Sequence, residues 1–494
     1  MRIQLIRPPY DTFNNTIPIR VGLPLGALYV ASVLEQKGYD VGVFDSLLYS
    51  DGTGNINHFG ASWERIKNNI KKFSPEVIGI TNQFTQQIGN VLALAKMIKN
   101  IDSDIKIVIG GPHASIRPQD FLLSGNFDAV VVGEGEYVFP KVIDYLNDKK
   151  THKKIKGVAY IRGKKIVSVP PEPIANLDGL PYPAYHMIDM KKYFRANRGG
   201  LGTRPTEPFD KPEREISMIT SRGCPFNCIF CSIHASMGRL WRAHSADYVI
   251  KHLNYVIENY DIELVHFEDD NLTLGIERFN RILEHLKKTG VSWDTPNGIR
   301  ADTIDRKTLV SIKKTNVKGL RIAIESGNQD VLNRIINKRL DLQKAVDVSR
   351  ECSELGISLS AFYVIGLPGE TKKNIDETLS LAYRLMKNYN VIPHVNIANP
   401  LFGTRLYDIC KDSNYLVDED CTKGDIFGFG RIKTKEFSPD ELRWYVSAFY
   451  RKIMVLYVMN MLKNPYRLAK NLKAFISSPD RTINFIRTSA GFLK

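Results

Sequence analysis

Along the first 150 residues, short apolar runs alternate with longer stretches in which apolar residues recur every three or four positions. "RIQLIRPP", "DVGVFDS", "EVIGITN", "KIVIGG" and "DAVVVGEGE" read as strands, while "PLGALYVASVLEQKGY", residues 63–73, residues 88–101 and a short segment at 118–124 read as helices. Strands that alternate with helices predict an α/β domain over residues 1–150, a doubly wound, flavodoxin-like parallel sheet. Polar residues and glycines follow each strand: Pro8-Pro9, Asp45-Ser46, Thr81-Asn82-Gln83, Gly110-Gly111-Pro112-His113 and Gly133-Glu134-Gly135-Glu136. This is the carboxyl edge, where open α/β sheets bind ligands. No G-x-G-x-x-G opens the first helix, so the dinucleotide fingerprint is missing.

Residues 151–215 form a bridge: "GVAYIRGKKIVSV" reads as a β-hairpin turning at Gly163, followed by a proline-rich, aperiodic linker. Alternation resumes over residues 216–405. "EISMITSRG", "IELVHFEDD", "VSWDTPNGIRAD", "GLRIAIESG", "ISLSAFYVIGLPGE" and "VIPHVNIANPLFGT" are β-like, with amphipathic helices between most of them. Six such units predict a partial (β/α)6 TIM-like barrel with its chemistry at the carboxyl strand ends. Residues 406–494 read as a mostly helical region, in which Ser438 and Glu441 form a helix-start signal.

A chain of 494 residues accommodates these domains, and no apolar run reaches the roughly 18–20 residues that span a bilayer. The start "MRIQLIRPPY" lacks the apolar region of a secretory signal, so the cytoplasm is the expected location. The net charge of +15 is uneven: residues 441–494 hold ten Lys or Arg against two acidic residues. A solvated helical cap over the barrel mouth accounts for this region; peripheral contact with an anionic membrane is the alternative. Nucleic acid is not expected, since that reading rests on charge alone.

The six cysteines are distributed unevenly, with Cys224, Cys228 and Cys231 inside "SRGCPFNCIFCS". In a reducing compartment three crowded thiols favour a metal or redox site. A structural zinc needs a fourth ligand, for which His234 is near in sequence. Three ligands without an obligatory fourth suit a [4Fe-4S] cluster with one iron left open. Cys352, Cys410 and Cys421 have no such spacing.

"CPFNCIFC" resembles the C-x-x-x-C-x-Φ-C signature of the radical S-adenosylmethionine enzymes, Phe230 taking the aromatic position. "FEDDN" (267–271), "GIRAD" (298–302), "IESG" (324–327) and "VIGLPGE" (364–370) resemble that family's later cofactor-contacting strand ends. "PLGALYVASVLEQKGYDV", "GGPHAS" and "VVGEGE" resemble the cobalamin-binding domain that precedes the barrel in one large branch. The resemblance implies three cofactors: a [4Fe-4S] cluster on Cys224, Cys228 and Cys231, S-adenosyl-L-methionine, and cobalamin. It implies that Asp269 and Asp270 accept the methionine ammonium and Arg300 forks its carboxylate. Glu325 and Ser326 then bond ribose hydroxyls, and Gly366 and Gly369 admit adenine. In the first domain Gly110, Gly111, Gly133 and Gly135 would admit the corrin or its nucleotide tail, with Thr81, Asn82, Gln83 and Glu134 beside it. The D-x-H-x-x-G cobalt-ligand motif of glutamate mutase is absent, so cobalt without a protein histidine is implied.

The implied activity is C-methylation of an unactivated carbon in a small molecule through a 5'-deoxyadenosyl radical and methylcobalamin. A cyclase or rearrangement enzyme of the anaerobic porphyrin cyclase type is the enzymatic alternative, and a non-catalytic cobalamin and iron-sulfur sensor the other. The apolar tail suggests a hydrophobic substrate; flavodoxin or ferredoxin is the expected electron donor, and anaerobic handling is required.

Overall fold

Five parallel strands build the first sheet: β1 (Arg2–Arg7), β2 (Asp40–Asp45), β3 (Val77–Thr81), β4 (Lys106–Gly110) and β5 (Ala129–Val131). Their order in the computed structural model is β2-β1-β3-β4-β5, the flavodoxin-like arrangement. The structure describes residues 1–11, 21–49, 58–147, 154–197, 214–422 and 430–462. Successive side chains leave opposite faces, so Ile78, Ile80, Ile107 and Ile109 enter one core while Val77 and Val108 enter another. Two buried faces need helices on both sides, which explains the near-continuous apolar runs.

The helices include α1 (Leu25–Gln36), α2 (Trp63–Phe73), α3 (Ile88–Ile101), α4 (Pro112–Ile116), α5 (Pro118–Leu122) and α6 (Phe139–Asn147). Helix α4 lies where the sequence pattern suggests only a polar turn. Gly111, at φ +107°, leaves the strand direction, and Pro112 then occupies the first turn, where its missing N–H costs nothing.

The hairpin expected in the bridge is present as β6 (Val158–Arg162) and β7 (Lys165–Val169), with Gly163 at φ +62°. It is not part of a free linker. β6 pairs antiparallel with β5, so the hairpin extends the first sheet to seven strands. Helix α7 (Met190–Asn197) then returns to the same domain, where the Tyr193 hydroxyl donates to Asp45, itself paired with Arg7.

The second sheet comprises β8 (Glu215–Met218), β9 (Leu264–Phe267), β10 (Ser292–Asp294), β11 (Val317–Glu325), β12 (Leu359–Ile365) and β13 (Ile392–Ile397). All six predicted barrel strands are present, parallel and in sequence order, and the sheet ends at β8 and β13 without closing. Short helix α8 (Ile233–Ser236) follows the cysteine loop. Helices α9 (Ala246–Tyr260), α10 (Ile276–Thr289), α11 (Arg306–Lys313), α12 (Leu342–Leu355) and α13 (Lys372–Tyr389) separate the strands.

Helices α14 (Arg405–Asp412) and α15 (Pro439–Leu462) follow. The α15 start forms a reciprocal cap: the Ser438 N–H donates to Glu441 Oε2 (2.8 Å) and the Glu441 N–H to Ser438 Oγ (3.3 Å). This helix covers the open barrel edge, where the Val395 N–H of β13 donates to Tyr450 Oη at 2.9 Å. Among the described residues, no helix is long and apolar enough to cross a membrane. The basic segment beyond Leu462 lies outside the described residues.

Candidate functional site

The cysteine loop leaves the barrel just after β8. Ser221 and Arg222 pair antiparallel with Ala243 and Arg242, and Gly223 then turns the chain at φ +79° into Cys224. Two backbone bonds fix the middle of the loop: the Ile229 N–H donates to the Ile336 carbonyl (3.0 Å) and the Leu406 N–H to the Ile229 carbonyl (2.9 Å). All three thiols are half-buried. Burial pushes the Cys228 thiol up and that of Cys231 up to about 12, and the neighbouring cysteines add to both shifts. These thiols therefore sense one another. Yet among the described residues no three Cys, His, Asp or Glu side chains converge as one metal ion requires. A cluster, in which each iron takes its own thiolate, needs no such convergence on one point.

Several residues proposed for S-adenosylmethionine prove to be committed elsewhere. Asp269 is buried and accepts from the Thr220 N–H and hydroxyl and the Ser221 hydroxyl, tying the end of β8 to that of β9. In this fold it serves as an anchor. Asp270 commits Oδ2 to the Gly223 N–H at 2.8 Å, and burial pushes its carboxyl up to about 6. Next to it, Asn271 Oδ1 is buried without a hydrogen-bond partner. Asp270 and Asn271 are thus the acceptors that fit an ammonium group, and Asn271 was missed although it closes the FEDDN motif.

Arg300 forks onto Asp302 (2.9 and 2.6 Å) while Nη1 donates to the Lys338 carbonyl, so its bidentate face is filled within the chain. The guanidinium lies 3.6 Å from the Phe226 ring centroid and so braces the cysteine loop. Glu325 pairs with Lys338 at 3.0 Å and holds φ +72° at a register shift between β11 and β12, a left-handed conformation costly for a side chain with a Cβ. Ser326 is fully buried against the Thr378 hydroxyl and does not present its own to a ribose.

A Cβ on Gly366 would meet Leu442 of α15 at 2.5 Å, and one on Gly369 would meet Ile335 at 3.4 Å. Both glycines thus make room for side chains of the chain itself. Glu370, just beyond, spends Oε2 on the Leu367 N–H (2.7 Å) and leaves Oε1 buried and unpartnered. Burial pushes this carboxyl from 4.5 up to about 7. Between those pH values the unfolded chain has released the proton and the folded chain retains it, so stability falls as pH rises through the window. The Glu370→Gln variant keeps the acceptor and removes the charge. Its urea midpoint should exceed wild type at pH 8 by the equivalent of about 3 kcal/mol, the gap closing towards pH 5. Parallel midpoints from pH 5 to 8 would refute this.

In the first domain, Asn82 Oδ1 and Ser46 Oγ are buried without partners after β3 and β2, on either side of β1. This is the topological switch point, where such sheets hold their ligand, and with half-buried Thr81 and exposed Gln83 it fits a ligand rich in amides. The glycines act otherwise. A Cβ on Gly111 would lie 2.5 Å from the Asn82 carbonyl, one on Gly133 2.8 Å from Pro171, and one on Gly135 3.2 Å from Val30. Gly110 has only ordinary contact with Val131. His113 is buried between Thr85 (3.1 Å) and Asp120 (3.3 Å).

Glu134 is also reassigned. Its two oxygens take Arg222 and Arg242 of the barrel at 2.7 Å each, and Glu136 takes Arg222 at 2.7 Å. Nearby, Arg117 lies over the Phe402 ring, and a Cβ on Gly403 would meet Ile116 at 2.8 Å. The loops after β4 and β5 therefore pack directly on loops at the carboxyl end of the barrel. Sequence reading missed Arg222 and Arg242; the only local signal was paired acids in "GEGE" and an arginine beside the first cysteine.

Inside the barrel, Ile216, Val265, Trp293 and Ile322 pack outward into the main core. Their strand neighbours Ser217, His266, Asp294 and Arg321 thus face inward, adjacent strands bringing Ser217 beside His266, His266 beside Asp294 and Arg321 beside Ser360. His266 Nδ1 lies 2.6 Å from Asp294 and Nε2 3.1 Å from Glu215. TIM barrels usually fill this space with branched apolar residues. Here it is polar.

Residues 20–143 match the B12 binding domain and residues 218–382 the radical SAM superfamily. An uncharacterised methyltransferase of Pyrococcus horikoshii is 30% identical over 92% of this chain and 94% of its own. Cytidylyl-2-hydroxyethylphosphonate methyltransferase of Streptomyces wedmorensis is 28% identical over 85% of this chain and 83% of its own. Among solved structures, the cobalamin-dependent S-adenosylmethionine radical enzyme OxsB, with aqua-cobalamin and S-adenosylmethionine bound, superposes with TM-score 0.70 at 18% identity, covering 98% of this chain and 71% of that one.

Proposed function

The chain belongs to the cobalamin-binding radical S-adenosylmethionine enzymes, and from that premise we propose that it transfers a methyl group to an unactivated carbon of a small molecule. The observation that carries this reading is the direct packing of the ligand edge of the first sheet on the cysteine end of the barrel, held by Glu134, Arg222 and Arg242. When bound, a [4Fe-4S] cluster and cobalamin would supply reductive cleavage of S-adenosylmethionine and a methyl group carried on cobalt. Cys224, Cys228 and Cys231 would hold the cluster. Asp270 and Asn271 would bind the methionine ammonium, and Thr81, Asn82 and Gln83 the corrin amides. The similarity to two methyltransferases over most of the chain supports methyl transfer in preference to cyclisation.

Ser217, His266 and Asp294 are buried and bond to one another or to Glu215 and Glu268, so they stabilise the barrel interior and do not select between polar and apolar substrates. Flavodoxin or ferredoxin remains our proposed electron donor.

The test is anaerobic reconstitution with iron, sulfide and cobalamin, then addition of reductant, S-adenosylmethionine and host extract. S-adenosylhomocysteine and 5'-deoxyadenosine are expected to rise together. Release of 5'-deoxyadenosine alone would replace methyl transfer with cyclisation or rearrangement, and release of neither would favour the sensor.

A further inference from the structure

Two guanidinium groups from opposite strands of the small hairpin beside the cysteine loop grip one carboxylate of the other domain. Arg222 Nη1 meets Glu134 Oε1 and Arg242 Nη1 meets Glu134 Oε2, while Arg222 Nη2 meets Glu136 Oε1, all at 2.7 Å. All four side chains are at most 7% exposed. The Glu134 end is completed by the Ile174 N–H at 2.8 Å, and Arg242 also donates to the Ile174 and Met237 carbonyls. The Tyr29 ring of α1 lies 5.2 Å from the Arg222 guanidinium.

We propose that Glu134 and Glu136 are positioning residues that set the cysteine loop against the cobalamin domain, acting through Arg222 and Arg242. The inference rests on Cys224, Cys228 and Cys231 being the cluster ligands. Arg222 stands two residues before Cys224, with only Gly223 between them, so displacement of the loop after β5 moves the first ligand. Every charge in this desolvated network is paired, Arg242 Nε alone lacking a partner, and it has few alternative geometries because any slip leaves a charge buried and unpaired. The same loop closes the ligand edge of the first sheet. Occupancy of that edge is thereby coupled to the setting of the cluster.

The experiment compares the reconstituted full chain with its Glu136→Gln and Arg222→Lys variants, each with and without hydroxocobalamin. Iron and cobalamin per chain, the electron paramagnetic resonance spectrum of the reduced cluster with S-adenosylmethionine, and 5'-deoxyadenosine per cluster are read. Wild type should show a spectrum that changes on cobalamin loading. Both variants should retain iron and cobalamin, lose that change, and form about a hundredfold less 5'-deoxyadenosine per cluster, as ångström-scale misplacement implies.

Arg222→Lys keeps a buried cation, so a Glu136→Gln chain that fails to fold still leaves a variant to read. Variants that keep the cobalamin-dependent spectrum and wild-type turnover would overturn the proposal, as would a wild-type spectrum indifferent to cobalamin. Loss of iron and cobalamin together from both variants, with a lower unfolding midpoint, would reduce the network to a structural brace. A wild-type chain that assembles no cluster would instead defeat the cluster assignment itself.

Discussion

Replacing Cys224, Cys228 or Cys231 singly with alanine should lower 5'-deoxyadenosine formation to the level of a protein-free control and remove the visible absorption of the reconstituted cluster. Each thiolate is expected to hold a different iron, so losing one leaves that iron open to solvent and to release. The loop itself should persist in each variant. Its centre is held by backbone bonds of Ile229 to Ile336 and Leu406, and its base by the Arg222 pairs, none of which involves a thiol.

Cobalamin binding should therefore remain near wild type while iron falls, which separates ligand loss from unfolding. Cys352→Ala is the matched control. That thiol is fully buried in the barrel core, so its removal leaves a small cavity and costs on the order of 1 kcal/mol without touching iron content. A Cys224, Cys228 or Cys231 variant that retained wild-type iron and turnover would end the cluster assignment.

The elements were legible wherever burial imposes a period on the chain. Helices at Trp63–Phe73 and Ile88–Ile101 match the expected spans, because one stripe of each must meet the sheet. All six barrel strands were visible for the related reason that their outward residues share one core. The α15 cap was also readable, since Ser438 and Glu441 complete it within three residues.

Partners far apart in sequence were not readable. Glu134 lies 88 residues from Arg222 and 108 from Arg242, and nothing in the local composition distinguishes a ligand-facing glutamate from one sealed between domains. Asp269 and Asp270 are adjacent in one motif, yet only Asp269 is wholly consumed by the end of β8. A motif gives the residue type and strand position; the direction of each side chain follows from packing. The same limit applies to the glycines after β4 and β5, whose missing Cβ atoms make room for Asn82 and Pro171.

Gly223→Ala should give a chain that still binds cobalamin but assembles little or no cluster. At φ +79° the alanine itself is strained, by about 1–2 kcal/mol. Contact adds to this strain. The new methyl carbon would lie 2.4 Å from the Leu240 carbonyl oxygen and 3.3 Å from that of Gly238, and both are backbone atoms that cannot rotate away. Either side of the turn resists adjustment: Arg222 is fixed by Glu134 and Glu136, and the Gly223 N–H is held by Asp270. Relief must come from displacing Cys224 or opening the hairpin with Arg242, and each displacement breaks the site. Gly163→Ala supplies the comparison, with φ +62° and nothing within 4 Å of the added carbon. It bears the strain without the collision, so its iron content, cobalamin content and turnover should match wild type despite a slightly lower unfolding midpoint. Wild-type iron in Gly223→Ala would show that the turn into the cluster loop tolerates both the strain and the close approach of Leu240.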